Sequence, residues 1–464
     1  MVSYKPSKPI ATVESTKDTL SGRGGLALFV RYLSGIGIYP ILQRFFGPLR
    51  KSKKGLPIWN LFLQVFCFFL DGTSKHLVDF DHRAKDDGYA ATVENSPAQM
   101  ASSHTIKRFF QSFGRFAGGV FRKILNQLFV WRLKIERPGV VEMTIDTMVM
   151  DNDEAQKRQG VQPTYKKVKG FQPLQMIWKG KIIDAIFRGG KKNGNAGNTV
   201  RNMLERAVKL IRKTLREDVL IILRVDAGFF DQKILQKATK LGVGIIMTGK
   251  MYETVKEHVD AVPEEEWAQY SNGKQQWQYT EFEWGCDNWA EKYRAFYTRT
   301  MTENGQGLLE FARPEGVLLT NLGIEDNVLS HCTPEQRQHW LDPETIIASH
   351  HGRGADELPH RGLKDFGFEE MPFQSFSANQ SFYYCMVIAF FLYETFKEDV
   401  LAEVIPVTSY ATTVRRKVID IAIKITHTGG QTILKIPRAL MKSLRFDRLW
   451  AHCNTPPTIP AMDI

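Results

Sequence analysis

The segment Val219-Leu-Ile-Ile-Leu-Arg-Val225-Asp226-Ala-Gly228 constrains the fold more than any other part of the chain. Its apolar residues form a continuous run rather than an alternating one. That is the pattern of a strand buried on both faces, at the centre of a sheet covered by helices. The run stops at an acid and a glycine turn, and helical spacing resumes at Ile234, Leu235, Ala238 and Leu241. A second strand-like run, Val140 to Thr147, has Val141, Met143 and Ile145 alternating with polar residues, and it delivers Asp146 to a sheet edge.

A third acid, Glu357, lies in Arg353-Gly-Ala-Asp-Glu357-x6-Lys364. Pro359 is awkward inside a helix but tolerated in a first turn, where its missing N–H has no intrahelical partner to lose. A helix beginning near Asp356 puts Glu357, His360, Arg361 and Lys364 on one face. Three acids at the ends of apolar segments suit Mg²⁺, which prefers oxygen ligands and keeps several waters. Two such ions about 3.5–4 Å apart activate an attacking oxygen and stabilise a leaving one. Arg353 and Lys364 then suit the non-reacting phosphates. Taken singly, each acid reads more readily as solvated at a strand end or paired with a nearby cation, so the weight falls on their order and on the Arg-x3-Glu-x6-Lys context.

The ordered motifs resemble those of DDE transposases of the insertion-sequence class, IS4-related and most like the IS1380-type family. The matching segments are Thr144-Ile-Asp146-Thr, Lys167-Val-Lys-Gly170-Phe-Gln-Pro173-Leu, Arg188-Gly-Gly with Gly194-Asn195, Arg224-Val-Asp226-Ala-Gly228-Phe and Arg353-x3-Glu357-x6-Lys364. One departure is His350, where the related families place tyrosine three residues before the arginine. The resemblance implies an α/β fold with an RNase H-like catalytic core, in which Asp146 and Asp226 lie side by side. It implies that Asp146, Asp226 and Glu357 are catalytic and hold two Mg²⁺, with Mn²⁺ able to substitute. The expected phosphate- and DNA-contacting residues are Arg353, Lys364, His350, Arg361, Lys107 and Arg108. The expected partners are double-stranded DNA, as terminal inverted repeats and as target, and a second copy of the chain in a synaptic dimer. The expected reaction is cleavage at the element's ends followed by attack of the freed 3′-OH on target DNA. Two rivals are an RNase H-like nuclease without strand transfer and a DNA-binding protein that has lost catalysis.

Charge agrees with a nucleic-acid partner. The net charge is +12, and it concentrates at the ends: residues 1–60 hold ten Lys/Arg against two acids, and residues 401–464 hold nine against four. Basic clusters of this kind neutralise phosphates and release counterions. The five cysteines are scattered without a disulfide or CxxC pattern, which fits a reducing cytoplasm and action at the nucleoid. The apolar stretches Ile58 to Leu70 and Tyr383 to Phe396 fall short of the roughly 20 residues that span a bilayer. They read as buried helices, and the polar amino end lacks the apolar h-region of a signal peptide.

The spacing organises the rest. Residues 1–135 read as a separate helical DNA-binding domain, with Ser102 starting a helix that carries Ile106, Phe109 and Phe110 inward and Lys107 and Arg108 off that face. Residues 136–250 read as the first part of the core, with a hairpin turn at Lys179-Gly180. The loop Gly189 to Gly197 lacks the Gly-Lys-Ser/Thr spacing of a nucleotide P-loop and reads as a flexible lead into a helix. Asp226 and Glu357 are 131 residues apart against 80 for the first pair, so an insertion is required. Residues 251–345 read as a β-rich insertion holding five of the nine tryptophans, mostly as core. Residues 251–300 carry ten acids against five Lys/Arg, a poor composition for a phosphate platform. Residues 346–400 complete the core, and 401–464 form a basic segment whose tail from Asn454 is expected to be disordered.

Overall fold

The computed structural model describes residues 10–49, 55–192, 194–303, 306–308, 314–324, 328–352 and 358–461. Arg353 and Glu357 lie outside these residues. Five strands make the centre of a ten-stranded mixed sheet: the first (Val140–Thr147), second (Leu174–Trp178), third (Lys181–Ile186), fourth (Leu220–Val225) and fifth (Gly244–Thr248). Their spatial order is third, second, first, fourth, fifth. The first three are successively antiparallel, while the first, fourth and fifth run parallel. This is the RNase H-like arrangement.

The apolar run of the fourth strand is explained by what covers it. Ile221, Leu223 and Val225 face a large core shared with the Thr199–Thr214 and Gln232–Lys240 helices. Leu220 and Ile222 face a smaller core made by Ile246, Phe296, Leu318, Trp340, Ile346 and Ile347. Burial on both sides removes any reason for alternation, and each such side chain contributes about 1.5–3 kcal/mol by leaving water. The turn between the second and third strands is the one expected: Lys179 (φ +45°) and Gly180 (φ +78°) both take left-handed backbone, as a two-residue hairpin requires.

Four further strands, Ala268–Ser271, Gln275–Trp284, Tyr293–Glu303 and Glu315–Thr320, extend the same sheet. Leu318–Thr320 pairs antiparallel with Ile246–Thr248, so the β-rich stretch covers the edge of the fifth strand instead of forming a sheet of its own. Four of its five tryptophans, Trp267, Trp277, Trp284 and Trp340, are buried.

The helices of residues 1–135 do not stand apart. Ile58–Asp71 packs against Phe376–Phe396, with the Phe69 and Phe382 rings 5.2 Å apart, and Phe121 of Ala117–Glu136 stacks on Tyr384 at 5.4 Å. Arg122 makes two bonds to Asp184 of the third strand, at 2.7 and 2.6 Å. One continuous core runs from Leu26 to Ile459, because the apolar faces of these helices bury against the core helix, the third strand and one another. The basic ends also meet: Thr19–Ser21 pairs with Ile423–Thr428, which pairs with Gln431–Lys435 across Gly429-Gly430. The expectation of a disordered tail is corrected for residues 454–461. There Ile459 N–H donates to Ile36 O at 2.9 Å, and Gln127 Nε2 donates to Pro460 O at 3.1 Å. Among the described residues no single helix is long and apolar enough to cross a membrane.

Candidate active site

Register brings two of the three sequence-singled acids together. Ile145 pairs with Val225 in the parallel ladder between the first and fourth strands, so Asp146 and Asp226 are the next positions on neighbouring strands. Such strands run about 4.8 Å apart, so the two acids stand side by side at one sheet edge. Val225 pairs in turn with Met247, which makes Thr248 the next strand end in the row. Thr248 Oγ1 is 2.8 Å from His350 Nε2, and Arg224 Nη1 donates to Ser349 O at 3.1 Å. His350 is therefore docked at this edge.

Local backbone orients each acid. Asp146 Oδ1 accepts from Thr147 N–H at 2.6 Å. Asp226 caps the short Ala227–Phe229 turn, its Oδ1 accepting from Gly228 N–H at 2.9 Å. A side chain at Gly228 would meet that same carboxylate oxygen at 2.9 Å, so the glycine lets the acid fold back on its own turn. The loop after Arg188 braces the turn from the other side. Gly194 lies against Gly228 O and the Phe229 ring, and Arg188 Nε donates to Gln172 O at 3.1 Å. This bracing was not legible in the glycine-rich sequence, which read as a flexible lead.

The Leu358–Phe366 helix carries Pro359 in its first turn, and it presents His360 to the first acid. His360 Nδ1 is 3.6 Å from Asp146 Oδ2. Burial pushes the imidazole down to about 4, and the charges of Lys364 and Lys166 act in the same direction. His360 is thus neutral beside Asp146. The expected single face of this helix divides. Arg361 is exposed and lies over the Tyr410 ring at 5.5 Å, while Lys364 Nζ pairs with Glu369 at 2.8 Å. Lys107 and Arg108 are exposed on the Ser103–Gln111 helix, which starts as expected with Ser102 Oγ accepting from Thr105 N–H. Lys107 lines a cleft of about 620 Å³ together with His76, Asp151, Arg158 and Glu369. Glu369, the partner of Lys364, thus links that cleft to the acid-bearing edge.

The donor chemistry of the strand-end pair fits a hard divalent cation: two carboxylates on one edge, each fixed by a backbone N–H. Among the described residues no group of three His, Cys, Asp or Glu stands close enough to hold a metal, and Glu357 is not among them. On the described chain before and after that stretch, His350 and His360 both lie at this edge.

Strand order and the paired strand-end acids define the RNase H-like class. The chain belongs to the family described as Transposase DDE domain group 1, which it matches over residues 6–455. No curated relative matches it. Among solved structures it is similar to the cryo-EM structure of a piggyBac transposase synaptic complex with hairpin DNA. The TM-score is 0.42 and the identity 11%, covering 97% of this chain and 89% of that one.

Proposed function

We propose that this DDE-family transposase cuts DNA at the ends of its own mobile element and joins the freed 3′-OH to target DNA. The observation that carries the reading is the meeting of Asp146 and Asp226 on adjacent parallel strand ends. Two Mg²⁺ held by Asp146, Asp226 and Glu357 would supply activation of the attacking oxygen and stabilisation of the leaving one. The chain's own residues do the rest. Thr147 and Gly228 N–H groups fix the carboxylate rotamers, and neutral His360 fills the space beside Asp146 without neutralising it. Lys364 exchanges Glu369 for a DNA phosphate, Arg353 clamps a second, and His350 holds the end of the fifth strand through Thr248. Arg361, Lys107 and Arg108 contact DNA further out. Two copies of the chain bring two element ends together at the nucleoid. The motif order favours an IS4-related element of the IS1380 type.

The test is incubation of the purified chain with Mg²⁺ and its own flanking DNA, comparing wild type with Asp146→Asn, Asp226→Asn and Glu357→Gln. Loss of both cleavage and strand transfer in all three is expected. Cleavage without joining by the wild type would point to a nuclease, and cleavage that survives the substitutions would sink the site assignment.

A further inference from the structure

Between Asp146 and the second strand the chain makes an excursion, residues 148–173, that rises from the acid-bearing edge. It is tied back at its root by Met148 N–H donating to Pro173 O at 3.1 Å. The pairs Met150 with Phe171 and Asp151 with Gly170 continue the tie. Gln162–Pro163 then pairs with Lys169–Phe171 to complete a three-stranded sheet. The base of this sheet is packed backbone on backbone. A Cβ at Gly170 would stand 2.0 Å from Met150 O, and one at Gly190 would stand 2.1 Å from Gln162 O. No side chain fits at either position, so the excursion is held by close backbone approach.

Its tip is a tight turn. Val168 O accepts from both Thr164 N–H (2.9 Å) and Thr164 Oγ1 (2.8 Å), and Lys167 N–H donates to Thr164 O at 3.1 Å with Lys167 at φ +63°. The turn displays Lys166 and Lys167, both exposed. Neither makes an ion pair among the described residues, whereas Lys169 at the base bonds Gln156 and Asp153 lies against the same strand. The acids of the excursion, Asp151, Asp153 and Glu154, are therefore at its root and the uncompensated cations at its tip. The excursion is anchored at the site itself: Thr147, the residue after Asp146, pairs with Leu174, and Met148 is tied to Pro173, so both of its ends leave from the acid-bearing edge, and the charge of Lys166 is felt at His360.

We infer that the Thr164–Val168 turn is a phosphate-holding finger that grips the DNA backbone beside the scissile bond, with Lys166 and Lys167 as its contacts. This rests on the reading of the chain as a DNA-cutting transposase. A rigid finger beside the acids would fix the position of the strand to be cut, and the lysines' point charges suit phosphate without demanding a particular base.

Binding of labelled flanking duplex in EDTA, followed by anisotropy across salt concentrations, tests the finger without requiring cleavage. The variants are Lys166→Gln with Lys167→Gln, Lys166→Arg with Lys167→Arg, and, as an equal charge loss elsewhere, Lys213→Gln with Lys240→Gln. Each lost phosphate contact lowers the log–log salt slope by about 0.9, so the glutamine pair should lower it by about two. The wild type's advantage over that pair should then shrink about tenfold for a fourfold rise in salt. The arginine pair should restore the slope, and the remote pair should move it less. An unchanged slope, an equal fall in the remote pair, or no DNA binding by the wild type would overturn the finger. Cleavage assays in Mg²⁺ separate the two claims. Binding without cleavage by the wild type counts against the transposase reading, and cleavage with an unaltered slope in the glutamine pair counts against the finger alone.

Discussion

The two halves of the sheet bury their strands in different ways. In Leu220–Val225 nearly every residue is buried, because helices cover both faces. In Gln275–Trp284 burial alternates toward the end of the strand: Thr280, Phe282 and Trp284 are buried, while Glu281 and Glu283 face solvent. The difference lies in what each half must hold still. A strand gripped on both faces has its end fixed to a fraction of an ångström, which is what a carboxylate pair sharing a cation needs. The half with a solvated face carries cross-strand ion pairs and leaves its exposed side free to vary.

The largest expected effect is at the edge of the gripped half. Asp226→Asn keeps the side-chain oxygen that accepts from Gly228 N–H but removes the charge. DNA cleavage should fall about 10³-fold or more, the scale of losing a principal charge-stabilising group, with the thermal midpoint within a few degrees of wild type. A variant that instead unfolds would mean that the acid is structural and that the edge is not held by the strand alone.

Next comes the grip itself. Leu223 is fully buried between the sheet and its covering helices, so Leu223→Ala should destabilise by about 3–5 kcal/mol in a denaturant titration. The milder change in the other half, Tyr279→Phe, removes only a hydroxyl and leaves the ring packed, and should cost about 1 kcal/mol. Equal losses at the two positions would break the comparison.

Arg415 tests a different join, between the amino-terminal helices and the site. Its guanidinium donates to Leu70 O (2.7 Å) and Phe69 O (2.9 Å) at the end of the Ile58–Asp71 helix. It also donates to Asp365 O (3.0 Å) and Phe366 O (2.8 Å) at the end of the helix that carries His360. One cation thus satisfies the open carbonyls of two helix C-termini, where positive charge is favoured. Arg415→Met should cost about 2–3 kcal/mol and should lower cleavage by loosening the His360 helix, measurable as a fall in kcat with DNA affinity retained.

Arg415 also shows where reading the sequence stops. The triplet Arg415-Arg416-Lys417 reads as part of a basic, phosphate-facing end, yet its first member is committed to carbonyls contributed by residues some 345 positions away. Composition counts charges but not their partners. By contrast, the strands bearing Asp146 and Asp226 were legible because their signals are local: an apolar run, an alternation, an acid and a glycine turn. The side-by-side placement of those acids needed the parallel register, which the family resemblance implied and the ladder shows. The bracing of the Asp226 turn by Gly194, the link from Thr248 to His350 and the meeting of the two basic ends are contacts between distant segments, and no periodicity announces them.

The smallest effect sharpens the comparison from the solvated side. Arg294 stands opposite Glu283 on the antiparallel neighbour and reaches diagonally to Glu281, with Nε and Nη2 bonding the two carboxylate oxygens at 2.5 and 3.0 Å. Glu281 is half-exposed, so a double-mutant cycle with Arg294→Ala and Glu281→Ala should return a coupling of only about 0.5–1 kcal/mol, weakening as salt rises. The single Arg294→Ala change should exceed this coupling, because Nη1 also donates to Leu341 O at 2.8 Å and the guanidinium lies over Phe296 at 4.8 Å. Cleavage by all three variants should match wild type. If removing this pair slows cleavage, the solvated half does more than cover the fifth strand, and the mechanical separation between the two halves of the sheet fails.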